Sequence, residues 1–247
     1  MTTLTVSIGE IDVRVVAQPL TQETFAPYGD VIGNPRPDVH PAAFDTASSL
    51  PANAFSANQG FAIQYRAAGR VRNLYDQAPS GVASPAISLF CCAARELARG
   101  SGPHPEFVVR VLERHPFTTQ TFSPLESSAD AYLVVVAPSR PPSALDESFP
   151  TPVGRGLPGR GLPELRFIKA FIASKRQAVT YGAGTWHAPM VALGKPGTTL
   201  NFVVTQFASG VAVEDCQLVE FVSEQGVDED PRIKIAVPQA TARQEKL

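Results

Sequence analysis

The sequence predicts an all-β fold, a barrel or sandwich carrying only a few short helical turns. Three observations predict it. Short runs rich in Val, Ile, Phe and Tyr recur along the chain, Pro and Gly separate them, and no long stretch has the 3.6-residue apolar period of an amphipathic helix. With 247 residues and 44% hydrophobic content the chain can bury a sizeable core, and one domain spanning 1–247 is expected.

Residues 10–18 alternate enough for an edge strand, which Pro19 ends. Thr21 can cap a single helical turn that Pro27 and Gly29 stop, and Asp30-Val31-Ile32 resumes as a strand. Residues 34–52 are rich in Pro and Ala without periodicity and read as a connecting loop. Residues 61–65 and 86–94 read as core strands, the second almost continuously apolar. A turn-rich joint at 100–106 leads into a strand from Phe107, followed by short strands near 118–122 and 132–137. Residues 138–163 hold seven Pro and four Gly and read as an exposed insertion. Two Arg lie in its Gly-rich part, but no strand feeds it and no Lys-Ser/Thr follows, which argues against a phosphate loop. Strands near 165–172, 199–204 and 216–221 complete the count, and residues 223–247 read as a charged tail.

A net charge of −2 and few aromatics leave no footprint for nucleic acid or an anionic membrane, and no apolar run has the length of a membrane-spanning helix. Residues 1–11 lack the basic start and apolar centre of a signal peptide, so a cytoplasmic location is expected. Glu245-Lys246-Leu247 departs at its first position from the peroxisomal Ser-Lys-Leu address. Three Cys, two of them adjacent at Cys91-Cys92, make neither a disulfide framework nor a zinc spacing. Adjacent strand residues face opposite ways, so at most one of that pair faces the core, and Cys216 reads as apolar packing.

Residues 178–190, Ala-Val-Thr-Tyr-Gly-Ala-Gly-Thr-Trp-His-Ala-Pro-Met, contain the only Trp and one of four His. Val179 and Tyr181 favour a strand, Gly182-Ala183-Gly184 can turn tightly with positive φ, and residues 187–193 read as the next strand. The result is an expected hairpin with His187 at the mouth of its second strand. Upstream, Glu113 and His115 stand two apart and share one face of a strand. The spacing Gly182-x-Gly184-x-x-His187 resembles the second half-motif of cupins, with Gly at its Pro position. Glu113, His115 and Gln120 occupy the places of the first half-motif, His-x-His followed by Glu. This resemblance implies a cupin-like double-stranded β-helix barrel in which Glu113, His115, Gln120 and His187 meet. Burying such a set is costly unless it is paired, hydrated or coordinated, which makes it a candidate site.

Four longer stretches are Leu20-Thr-Gln-Glu-Thr-Phe-Ala-Pro-Tyr-Gly-Asp-Val-Ile32, Leu112-Glu-Arg-His-Pro-Phe-Thr-Thr-Gln-Thr-Phe-Ser-Pro-Leu125, Tyr132-Leu-Val-Val-Val-Ala-Pro138 and Tyr181-Gly-Ala-Gly-Thr-Trp-His-Ala-Pro-Met190. Together they resemble the ureidoglycolate lyase family, formerly called ureidoglycolate hydrolase, over most of residues 19–221. The resemblance points to a member of the fungal type. It implies a cupin-like barrel, commonly a homodimer, that splits ureidoglycolate into glyoxylate and urea in allantoin and purine nitrogen breakdown. Bacterial members tend to carry a second His where Ala188 stands and Asp-Arg where Gln206-Phe207 stand, so neither feature carries over.

That reaction needs a base for the substrate hydroxyl, an acid for the departing urea nitrogen and donors for the carboxylate. His187 and His115 are the candidate bases, with Glu113 orienting one of them or sharing a proton. The Glu113 pKa rises with burial and falls beside a cation, and the sequence leaves that open. Arg95, at a strand end, is expected to hold the carboxylate, Asn58 to offer amide donors from a turn, and Trp186 to wall the substrate at the barrel mouth. Glu113, His115, Gln120 and His187 can also bind a divalent metal ion, although Gln is a weak ligand, and no obligatory cofactor is expected. The alternatives are a metal-dependent cupin acting on another small hydroxy or keto acid, and a non-catalytic cupin that binds a ligand.

Overall fold

The recurring apolar runs pair as strands in the computed structural model, which describes residues 2–100, 102–223 and 232–238. The larger, eight-stranded sheet runs Thr2–Ser7, Gln217–Val222, Val111–Arg114, Trp186–His187, Ala131–Ala137, Lys169–Ser174 and Gln18–Pro19, with Val191–Leu193 also paired to Ala131–Ala137. A five-stranded sheet runs Gly29–Ile32, Ala178–Tyr181, Gln120–Pro124, Thr199–Ala208 and Ser84–Ala93. A three-stranded sheet joins Val13–Val16, Ile233–Ala236 and Glu106–Val108. The chain is therefore mainly β, as expected, and among the described residues no helix is long and apolar enough to cross a membrane.

Alternation along Ala131–Ala137 organises two cores. Tyr132, Val134 and Val136 meet Phe122, Tyr181 and Phe202 of the five-stranded sheet. Leu133, Val135 and Ala137 face the other way, onto Val13, Ile233 and Ile235 of the small sheet and onto Leu162 and Leu165. A strand buried on both faces reads as a continuous apolar run, which is why residues 132–137 carry no polar alternation. The helical turn Gln22–Phe25 forms as expected, its N-cap Thr21 hydroxyl accepting from the Thr24 N–H at 3.3 Å.

Five expectations need revision. Ser84–Ala93 is a strand, but at the edge of its sheet and paired only with Thr199–Ala208, so Ile87 and Leu89 remain 77% and 69% exposed. Cys91 is exposed and Cys92 packs against the core, as alternation requires. Ala62–Tyr65 is not a core strand either; it pairs with Ala54–Ala57 in a separate hairpin and leaves Phe61 exposed.

Third, residues 178–193 do not form a hairpin, because Ala178–Tyr181 and Trp186–His187 lie in different sheets. The turn between them crosses from one sheet to the other. Its Gly182 N–H donates to Tyr28 O and its Gly184 N–H to His115 O, both at 2.8 Å, so neighbouring segments engage the groups that a hairpin ladder would use. Gly184 has φ +79°, the positive value the turn needs.

Fourth, residues 138–163 are not simply exposed. The Asp146 carboxylate accepts from Ser143 N–H at 2.7 Å and Leu162 N–H at 3.1 Å, and Asp146, Phe149 and Leu162 are buried. Fifth, the charged tail contains the strand Ile233–Ala236, parallel to Val13–Val16, whose Ile233 and Ile235 are fully buried. The rest of that tail, residues 224–231 and 239–247, lies outside the described residues.

Candidate active site

The strand Val111–Arg114 sends alternate residues to opposite faces. Leu112 and Arg114 go to the rear core, while Glu113, and His115 just beyond the strand, line the space between the two large sheets. His187 sits directly across the ladder from Glu113 and follows the turn anchored on His115 O. Glu113, His115 and His187 thus bring one potential ligand atom each to within 4.8 Å of one another. Glu113 and His115 line a cavity of about 590 Å³ whose wall also includes Ser88, Gln120, Met190, Gln206 and Asp215, and His187 lies beside them. Of the four expected site residues, Glu113, His115 and His187 converge, and Gln120 lies on the same cavity wall as Glu113 and His115.

Both imidazoles are oriented through the same nitrogen. His115 Nδ1 lies 2.6 Å from Asp215 O and His187 Nδ1 lies 2.9 Å from Thr185 O, contacts in which a carbonyl can only accept. Nδ1 therefore carries the proton, and each Nε2 presents a lone pair. Both Nε2 atoms and Gln120 Oε1 are buried without a hydrogen-bond partner. Tyr181 stacks on His187 with centroids 3.9 Å apart, and Gln120 Nε2–H donates to Gln206 Oε1 at 2.7 Å.

Burial sets the electrostatics. It pushes His187 down to about 3, with the neighbouring His115 adding to the effect, and it also lowers His115, against the hydrogen bond to Asp215 O. Glu113 goes the other way: burial raises it to about 6, opposed only by the Cys216 thiol, whose Sγ lies 3.7 Å from Oε2. The 3.7 Å contact between His187 Nε2 and Glu113 Oε1 is accordingly a neutral imidazole beside a carboxyl group at neutral pH, not an ion pair.

The donor set fits a divalent ion. Two outward Nε2 lone pairs, a carboxylate and an amide oxygen, with each imidazole N–H held by a carbonyl, form an arrangement suited to a borderline transition metal. His115, His187 and Glu113 would hold it, with Gln120 as a weaker fourth donor.

Three expected substrate contacts are not brought here. Arg95 is exposed, its guanidinium 5.8 Å from the Phe107 ring centroid, and is absent from the cavity wall. Asn58 sits at the tight end of the exposed Ala54–Ala57/Ala62–Tyr65 hairpin with φ +47°. Trp186 is fully buried on the opposite face from His187, its Nε1–H donating to Gly161 O at 3.0 Å beneath the Arg114 guanidinium. Sequence reasoning missed Gln206, Asp215 and Cys216. Cys216 is more than packing, because it meets Glu113. Among the described residues, no Arg or Lys lines the cavity.

Comparison with known proteins identifies the family. A family model described as ureidoglycolate lyase matches residues 12–228. The chain is 34% identical over 207 residues to a ureidoglycolate lyase of Schizosaccharomyces pombe, covering 83% of this chain and 90% of that one. It is 37% identical over 190 residues to a ureidoglycolate lyase of Saccharomyces cerevisiae, covering 74% and 80%. A bacterial ureidoglycolate lyase, from Stutzerimonas stutzeri, is 32% identical over 215 residues, covering 87% and 94%. With a family model matching most of its length and fungal relatives at 34% and 37% identity, the chain belongs to the ureidoglycolate lyase family.

Proposed function

We propose that this protein cleaves ureidoglycolate to glyoxylate and urea, with Glu113 as the principal proton carrier. The observation that carries this reading is a buried carboxyl group, raised to about 6, within reach of two fixed imidazoles in a small cavity. The chemistry is a proton relocation. Ionised Glu113 takes the proton of the carbinol hydroxyl, the C–O bond becomes the aldehyde carbonyl of glyoxylate, and the C–N bond breaks. The same carboxyl group then protonates the departing urea nitrogen, so the enzyme returns to its starting state. His187, expected as a base, holds a proton too weakly at about 3; it and His115 instead orient the substrate through their Nε2 lone pairs.

A metal-dependent version of the same reaction is favoured by one observation: the substrate is an anion, and no cationic side chain lines the cavity among the described residues. A divalent ion on His115, His187 and Glu113 would supply positive charge for the carboxylate and hydroxyl oxygens. Glyoxylate and urea release from metal-analysed protein, with and without a chelator, separates the two versions. Undiminished turnover after chelation supports direct acid and base work. Turnover lost and restored by one ion moves the three residues into its ligand shell. No turnover by folded protein in either sample overturns the lyase reading.

A homodimer is part of this proposal. Ile87, Leu89 and Cys91 project from the outer face of the edge strand Ser84–Ala93, while Ser88 and Phe90 line the cavity. A row of exposed apolar side chains on an unpaired edge is a liability unless a second copy covers it. Leu89→Glu is expected to convert a dimer into a monomer in analytical ultracentrifugation. A wild-type protein that sediments as a monomer at micromolar concentration sinks the idea.

A further inference from the structure

One wall of the cavity is the segment from Ser209 to Cys216, and it touches both halves of the proton-carrying site. The carbonyl of Asp215 faces His115 Nδ1 at 2.6 Å, and the thiol of the next residue, Cys216, lies 3.7 Å from Glu113 Oε2. Two consecutive residues thus meet His115 and Glu113, one through its backbone and one through its side chain. How His115 and Glu113 point therefore depends on where residues 215 and 216 are held.

The Asp215 side chain does the holding. Its Oδ1 accepts from Ser209 N–H at 2.7 Å, the Ser209 hydroxyl at 2.9 Å and the Tyr75 hydroxyl at 2.7 Å, while Oδ2 accepts from Gly210 N–H at 2.8 Å. Burial opposes ionisation here, but these donors outweigh it and hold the carboxyl group below its ordinary range. Tyr75 comes from a distant part of the chain, in a segment anchored twice more. Leu74 N–H donates to Phe117 O at 2.7 Å, two residues past His115, and Ser80 N–H donates to Glu214 Oε1 at 3.0 Å. Residues 74–80 therefore bridge the chain just beyond His115 to the helical turn Ala212–Asp215.

We propose that Tyr75 and Asp215 form a latch that sets the orientation of His115 and Glu113, making both latch members positioning residues for the reaction. The proposal rests on the lyase reading for its kinetic consequence and on geometry alone for its structural one. Groups that hold a functional imidazole by its second nitrogen typically change activity by about 10- to 100-fold when removed. Neither latch member needs to touch the substrate.

The test is Tyr75→Phe, which removes one hydroxyl and keeps the ring on Phe117, whose centroid lies 5.6 Å away. The expected result is a fall in kcat of about 10-fold with KM within about twofold, since orientation rather than binding is lost. Alongside it, the ¹⁵N spectrum of the imidazoles is expected to show His115 passing from a single Nδ1–H tautomer to a mixture. Only four His have to be assigned. Unchanged kcat and an unchanged His115 signature, even with lowered thermal stability, would reduce the latch to a fold-stabilising contact. Should Tyr75→Phe not fold, Asp215→Asn, which keeps the backbone carbonyl and the side-chain size, is read in the same way. If the wild-type protein turns over no ureidoglycolate, the lyase reading falls while the His115 signature still decides the latch.

Discussion

Glu113→Gln is expected to abolish turnover and, in metal-free protein at pH 7, to stabilise the fold. The first effect follows from removing the proposed proton carrier, whose pKa burial raises to about 6; acid and base groups of this kind contribute about 10²- to 10⁴-fold. The second follows from linkage. Burial raises Glu113 from its ordinary 4.5 to about 6, so between those values the folded state binds more protons than the unfolded one. Stability therefore falls as pH rises through this window, and above it the ionised side chain costs about 2 kcal/mol. Gln has the same shape and no charge to desolvate, so denaturant unfolding should show a gain of that order at pH 7, shrinking towards zero below pH 4. In the metal-free wild type, turnover should correspondingly rise with pH and level off above about 6. A variant retaining more than a tenth of the activity would remove Glu113 from the proton path. A less stable variant would mean that the carboxylate has a partner that offsets its burial.

Arg114→Met is expected to lose about 3 kcal/mol of stability and to loosen residues 138–163. Arg114 is fully buried behind the site. Its Nε–H donates to Gln217 Oε1 at 2.8 Å, its Nη2–H to Arg160 O at 3.0 Å and its Nη1–H to Gly161 O at 3.1 Å, and its guanidinium covers Trp186 at 4.4 Å. Burial pulls its pKa down to about 9, against the field of Asp146, so holding the charge here is itself unfavourable. Met relieves that desolvation and keeps the apolar stem, but it leaves the buried Gln217 Oε1 without its donor and removes the bonds that tie the carbonyls of Arg160 and Gly161 to the core, the latter still held by Trp186 Nε1–H. The loss outweighs the relieved charge because Arg114 and Gln217 are fully buried, so the orphaned Gln217 oxygen is out of reach of bulk water. Urea unfolding provides the number, and proteolysis at residues 138–163 provides the location. A loss under about 1 kcal/mol would show that stacking on Trp186, rather than the hydrogen bonds, carries the contact.

The part of the site that could be read from the sequence is the part governed by strand alternation. Glu113 and His115 share a face because they are two apart, and Gln120 and His187 line or border the same space. The same rule places Trp186 away from the substrate, since the neighbour of an inward His must face outward. The expectation that Trp186 walls the substrate at the barrel mouth runs against that geometry. A carboxylate calls for a guanidinium, yet that chemistry does not say where the strand end carrying Arg95 lies in space. Asp215 meets His115 through a backbone carbonyl, which every residue has, so no side-chain pattern marks it. The apolar run at 86–94 illustrates a different blindness: Ile87 and Leu89 look identical in sequence whether a core or a second copy covers them. The strand Ile233–Ala236 was hidden by charged surroundings, although its own Ile-Lys-Ile alternation is what docks it.

The pairing of residues 2–16 with residues 217–236 has a consequence for how the protein folds. Thr2–Ser7 lies parallel to Gln217–Val222, and Val13–Val16 lies parallel to Ile233–Ala236. Thr2–Ser7 and Val13–Val16 therefore cannot complete these ladders until residues 217–236 have been translated. Such distant pairings close slowly, because most of the loop entropy must be given up before the contacts return it. During that interval the early strands expose free edges, and the final sheet locks only when the last of its strands arrives. These two ladders should thus close late and cooperatively, and a chain stopped short of residue 217 would leave the Thr2–Ser7 ladder unformed as a target for chaperones and proteases.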